Sequence, residues 1–133
     1  MSANQESDKN SLPLLLENLK KAYKTNIQGP IKYFEREYQA TTKKELLKDI
    51  TKFLSNRGVK KLAGINAWKS NDELRIAYHF IAKIGTDFLD TKITVIIFAP
   101  IENAEIESIT SLFQNARIFE EEIKQEFQVA FSK

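Results

Sequence analysis

The run Thr91-Lys92-Ile93-Thr94-Val95-Ile96-Ile97-Phe98-Ala99 constrains this chain more than any other segment. β-Branched and aromatic residues fill most of its positions, which favours a strand. Because apolar residues occupy both parities rather than alternate ones, the run reads as a strand covered on both faces. A layered sheet is therefore the starting point. Upstream, Glu73 to Ile81 alternates: Leu74, Ile76, Tyr78 and Phe80 fall on one face, and Arg75, Ala77 and His79 on the other. Leu62 to Trp68 precedes it across Ser70-Asn71-Asp72, a cluster suited to a hairpin turn.

The flanking segments change period. Ser11 and Pro13 read as an N-cap and a first-turn proline ahead of Leu12, Leu15, Leu16, Leu19, Ala22 and Tyr23 at helical spacing. That helix is expected to stop by the Ile27-Gln28-Gly29-Pro30 break. Ile31 to Ala40, rich in aromatics, reads as one edge strand. Thr41 and Thr42 then read as caps for a second helix, whose Leu46, Leu47, Ile50, Phe53 and Leu54 form one apolar stripe closed by Gly58 just past Arg57. A loop is expected at Gly85-Thr86-Asp87. Beyond Pro100, Ile106, Ile109 and Phe113 suggest a short helix, and Phe119, Ile123 and Phe127 a second one at four-residue spacing. The expected fold is α+β, a mixed sheet of about four strands with helices packed on it. Residues 11–133 form a single domain in this reading, behind a disordered polar tail at residues 1–10.

Composition narrows the chemistry. The chain has 133 residues, no cysteine and one histidine, so disulfides, thiolate metal sites and thiol nucleophiles are ruled out together. The longest apolar stretch, Ile93 to Ile101, falls far short of the roughly 20 residues that span a bilayer. The N-terminus has no apolar signal-peptide core, and the expected address is cytoplasmic. Net charge is +2, but residues 1–61 carry +6 and residues 62–133 carry −4. Such asymmetry fits either charged partner surfaces or two solvated faces.

The candidate functional groups are few. Glu120, Glu121, Glu122 and Glu126 form the densest acidic cluster, and Glu122 and Glu126 share a helix face. No complementary ligands or histidine lie nearby, so the cluster reads as a solvated or partner-facing helix rather than a metal or acid-base site. His79 has no nucleophile at a recognisable spacing and reads as structural. Gly29, Gly58, Gly64 and Gly85 are scattered, which excludes the phosphate-cradling loop motifs. Paired lysines at Lys20-Lys21, Lys43-Lys44 and Lys60-Lys61, with Tyr33, Phe34 and Tyr38 between them, are diluted by Glu35, Glu37, Glu45 and Asp49, which disfavours nucleic acid.

The string Ile106-Glu107-Ser108-Ile109-Thr110-Ser111-Leu112-Phe113-Gln114-Asn115-Ala116, followed by Phe119-Glu120-Glu121-Glu122-Ile123 and Phe127-Gln128-Val129, resembles the thirty-kilodalton subunit family of respiratory-chain NADH dehydrogenase, complex I. Leu62-Ala63-Gly64-Ile65-Asn66-Ala67 and Ile76-Ala77-Tyr78-His79-Phe80 resemble that family's strand pair. The resemblance spans roughly Leu46 to Phe131. It departs at Glu107 for proline, Glu121 for arginine, Lys124 for tyrosine, Gln125 for aspartate and Gln128 for glycine. In size the chain is similar to the related small subunits of energy-converting, membrane-bound nickel-iron hydrogenases. The resemblance implies a fold like that of the complex I thirty-kilodalton protein and a noncatalytic accessory subunit with no cofactor of its own. It would dock on a large subunit, the nickel-iron subunit in a hydrogenase or the quinone-site subunit in complex I. That position lies beside iron-sulfur subunits, on the inner face of the cell membrane. Carried over onto matched positions, Glu120, Glu122, Ile123 and Phe127, together with Phe113, are the candidate docking residues. Whether the apolar members complete the chain's own core or anchor a partner is left open by sequence. An independent protein- or nucleic-acid-binding module using the basic first half is the alternative.

Overall fold

The computed structural model describes residues 13–83 and 90–132. The expected tail, the Ser11 cap, Leu12 and the loop at Gly85-Thr86-Asp87 lie outside these residues. Helix α1 (Leu14–Tyr23) begins directly after Pro13 and buries Leu16 and Leu19. Strand β1 (Ile27–Phe34) turns back into β2 (Glu37–Lys43), and α2 (Leu47–Asn56) follows a 3-10 turn. The hairpin β3 (Lys61–Ser70) and β4 (Glu73–Lys83) and the long strand β5 (Asp90–Pro100) complete a mixed five-stranded sheet ordered β1-β2-β5-β4-β3. β2 and β5 run parallel, while the other neighbours are antiparallel. A small parallel ladder joins β6 (Glu105–Glu107) to β7 (Ala130–Ser132), with α3 (Ala116–Phe127) between them in sequence.

The sheet has one strand more than the sequence suggested. Ile31 to Ala40 is a hairpin, not a single strand, because Arg36 adopts a left-handed φ of 59° and reverses the chain. The Gly29-Pro30 pair does not separate helix from strand but lies inside β1, at an irregularity in its pairing with β2. Pro30 is tolerated because β1 is an edge strand. Gly29 has φ +92°, and a Cβ there would meet Gln39 O at 2.8 Å, so only glycine fits. Thr41 and Thr42 are not helix caps; both are in β2, and the Thr42 hydroxyl donates to Asn26 O at 2.7 Å. The stripe and end of α2 are as read, with Leu47, Ile50 and Leu54 buried and Gly58 at φ +99° past Arg57.

One core cluster unites the buried residues of all three helices with Leu74, Ile76, Tyr78 and Phe80 of β4 and Ile93, Val95, Ile97 and Ala99 of β5. These are alternate positions, so the helices lie on one face of the sheet. Through its centre, Ile93 to Ile97, β5 is buried on both faces as expected, but on the far face not by this cluster. Ala77 and Ile96 are buried on the far face but stand outside that cluster, and no helix among the described residues packs over them.

Candidate functional site

The segment after Pro100 does not form the expected helix through Ile106, Ile109 and Phe113. Ile106 belongs to β6, and the chain then makes single turns closed by Leu112 N–H and Phe113 N–H on Ile109 O, each at 2.9 Å. Helical spacing misled because a turn also brings residues three and four apart to one side. Phe113 enters the core, where its ring meets that of Phe80 at 5.3 Å between centroids. Asn115 Nδ2 donates to Leu62 O at 2.8 Å and ties the start of α3 to β3.

Along α3, Ala116, Phe119, Glu120, Ile123 and Phe127 follow the i, i+3, i+4, i+7 spacing that faces a core. Glu120 thus falls on the buried side, only 6% exposed, the one buried carboxylate among the described residues. A charge in that position requires hydrogen bonds. Ser108 Oγ donates to Glu120 Oε1 at 2.7 Å, and Ile109 N–H donates to Oε2 at 3.0 Å. Thr110 N–H donates to Ser108 Oγ at 3.2 Å, and the Thr110 hydroxyl lies 2.5 Å from the same oxygen. Glu120 therefore latches α3 to the Ser108-Ile109-Thr110 turn. Ser108 N–H in turn donates to Ser132 O at 2.6 Å, which brings β7 into the same arrangement.

Tyr78 lies behind this latch, and its hydroxyl is buried with no hydrogen-bond partner among the described residues. Burial, reinforced by the charge of Glu120, holds its pKa well above the usual phenol value. In front, Ser108, Thr110, Arg117, Glu120, Glu121, Lys124 and Phe131 line an open cleft of about 440 Å³. Helix α3 ends where Gln128 takes a left-handed conformation, φ 59° and ψ 40°, and its N–H returns to Lys124 O. Glycine adopts that geometry without strain, so Gln128 closes the helix at a conformational cost.

The five sequence-derived candidates divide by position. Phe113, Glu120 and Ile123 are buried within the chain, Phe127 is half-buried against the core, and Glu122 is exposed. The outward face of α3 bears Ile118, 65% exposed, with Arg117, Glu121, Glu122 and Gln125 around a second shallow depression. Sequence reasoning missed Ile118 and the Ser108–Glu120 latch. The available signal was Glu120 itself, an acid four residues past Ala116 and three before Ile123, squarely in the apolar stripe.

Elsewhere the chemistry is sparse. His79 Nε2 lies 2.5 Å from Asn66 Oδ1 and Nδ1 lies 3.1 Å from Thr94 Oγ1. The amide oxygen can only accept, so Nε2 carries the proton and Thr94 donates to Nδ1. Burial, then Lys92, lower the His79 pKa, against an opposing effect of Glu37. No group of three His, Asp or Glu side chains suited to a metal ion occurs among the described residues. The paired lysines are spread over α1, the end of β2 and the start of β3, and Lys44 and Lys60 donate to the carbonyls of Glu105 and Ser55.

Residues 40–133 match the family model described as respiratory-chain NADH dehydrogenase, 30 Kd subunit. No curated protein sequence matches the chain. Among solved structures, the trypsin-resistant fragment of Nqo5 superposes with a TM-score of 0.70 at 17% identity, over 89% of this chain and 96% of that one. A chain of the membrane-bound sulfane sulfur reductase, an archaeal respiratory membrane complex, superposes with a TM-score of 0.71 at 19% identity, over 86% of this chain and 68% of that one. The mixed sheet with its three helices is thus a fold similar to that of Nqo5.

Proposed function

The chain belongs to the respiratory-chain NADH dehydrogenase 30 Kd subunit family, and from that premise we propose that it is a noncatalytic accessory subunit of a membrane-associated oxidoreductase. In this reading it docks on and stabilises the large subunit, either the nickel-iron type of a hydrogenase or the quinone-site type of complex I. Its place is beside iron-sulfur subunits on the inner face of the cell membrane. The outward face of α3 makes the contact through Ile118, Glu121, Glu122 and Gln125. Phe113, Glu120, Ile123 and Phe127 act from behind, holding the helix at a fixed height and angle.

The observation that carries the reading is the Glu120 latch. A buried carboxylate with a hydroxyl and a backbone N–H on its two oxygens fixes α3 rather than reaching a substrate. What it fixes is a helix face with an exposed isoleucine among charged residues, a composition suited to a small protein contact. No helix among the described residues is long and apolar enough to cross a membrane, so in this reading membrane association comes through partners. Deleting the chain from its host tests the proposal. The expected result is loss of the large subunit from membranes and of the complex's activity, both restored by resupply, with no turnover by the isolated chain. Unchanged assembly after deletion, or turnover by the chain alone, would contradict it.

A further inference from the structure

The cleft in front of the Glu120 latch has two features that the latch does not use. The first is backbone. In the parallel β6–β7 ladder, Ala130 N–H donates to Ala104 O at 2.9 Å and Ser132 O accepts from Ser108 N–H at 2.6 Å, so Ala130 and Ser132 face β6. Successive residues of a strand turn their N–H and C=O to opposite sides, and those of Phe131 therefore point away from β6. Among the described residues β7 pairs with β6 alone, which leaves this side of it an open edge. Phe131 also lines the cleft. A two-stranded pair of this length is marginal by itself, and an unpaired edge is a template for a further strand.

The second is charge. Arg117 and Lys124 stand on the α3 wall of the cleft, on one side of the helix and about 10 Å apart along its axis. Glu121 follows Arg117 by four residues and precedes Lys124 by three, spacings at which helix ion pairs form. Neither pair closes, and neither cation has an acidic partner within ion-pair distance among the described residues. Glu120 at the floor is taken up by Ser108 and Ile109, while Glu121 accepts from Gln125 Nε2 at 3.4 Å. The two cations are left for an occupant, and an extended chain covers their separation in about three residues. Backbone bonding to a strand edge, with side chains selected by the walls beside it, is an established mode of peptide recognition.

We infer that this cleft receives an extended acidic segment of a partner protein, added to the β6–β7 ladder as a third strand through Phe131 N–H and C=O, with its carboxylates facing Arg117 and Lys124. The inference rests on the reading of the chain as a subunit of a complex, but not on the outward face of α3 being where the large subunit docks. Arg117 and Glu121 line both the cleft and the outward depression, whereas Lys124 lines the cleft alone, so Lys124 is the residue to vary. An aromatic photo-crosslinking side chain in place of Phe131, or at the exposed Ala130, tests the inference in the complex purified from host membranes. The expected crosslinks map to one segment of a single partner, with two or more acidic residues within about five positions. Phe131 N–H should exchange about tenfold or more slowly in the complex than in the isolated chain. Lys124→Gln, at an exposed site, should melt within a few degrees of the parent and lose about threefold or more of the crosslinking. Undiminished crosslinking in that variant, crosslinks to a segment without acidic residues or to a second copy of this chain, or an assembled complex with no crosslinks from either position overturns the inference and leaves the accessory-subunit reading intact. Recovery of the chain without any partner overturns both. Slowing of Phe131 N–H exchange in the isolated chain by inorganic phosphate alone overturns the inference in favour of a site for free anions.

Discussion

At the scale of single residues, Glu120 shows how the environment assigns a role that residue type does not. Three glutamates follow one another, yet only the first lies on the apolar stripe of α3, and burial there obliges it to find donors. Hydrogen bonds to a charged group contribute about 1.5–3 kcal/mol each. Glu120→Ala removes both and leaves the Ile109 N–H unpaired, so the unfolding free energy should fall by about 3 kcal/mol in urea titration. A loss below about 1 kcal/mol would show that the latch does not hold α3. His79 gives a pH-dependent counterpart. Its pKa is lowered in the folded chain, so below about pH 6.5 the unfolded chain binds a proton that the folded chain refuses. Stability should be level above that pH and decline as pH falls toward the lowered value. Comparing urea midpoints at about pH 7.5 and 5.5, His79→Gln should show a smaller decline than the parent.

At the scale of elements, what was legible in the sequence was periodicity undisturbed by unusual backbone. The β3–β4 hairpin and the α2 stripe repeat at 2.0 and 3.6 residues, and both formed where read. Errors cluster where a backbone conformation overrode side-chain pattern. Arg36 reverses the chain in a left-handed conformation with none of the usual turn residues, so β1 and β2 looked like one strand. Gly29-Pro30 looked like a break because its breaker chemistry is real, but at a sheet edge that chemistry is tolerated. Gly29 tests this interpretation. The Cβ of alanine would press against the backbone of Gln39 and Ile31 at a φ that alanine avoids, and those atoms belong to the β1–β2 pair. Gly29→Ala should destabilise the fold by about 2 kcal/mol or more, as read from thermal or urea unfolding. The latch was partly legible: Ser108-Ile109-Thr110 stood out as part of a family resemblance and Glu120 as a candidate docking residue, but sequence spacing does not reveal that the two pair across 12 residues.

At the scale of the whole molecule, the chain forms two layers, sheet and helices, around one core. Helices cover one face of the sheet, and a C-terminal helix is pinned at its side by Glu120, Asn115 and the β6–β7 ladder. The described residues thus present a fixed outward helix face rather than a cluster of reactive groups, in keeping with a family of complex subunits. Ile118 is the residue through which docking is most directly tested, because it is exposed and its replacement leaves the core untouched. The decisive measurement is affinity purification of the tagged chain from detergent-solubilised host membranes, side by side with Ile118→Glu at matched melting temperature. The docking account expects the parent to elute with a large subunit in equal molar amount, and the variant to retain it about tenfold less, a loss of about 1.4 kcal/mol. Elution of the parent chain alone, or equal retention by the variant, would contradict it.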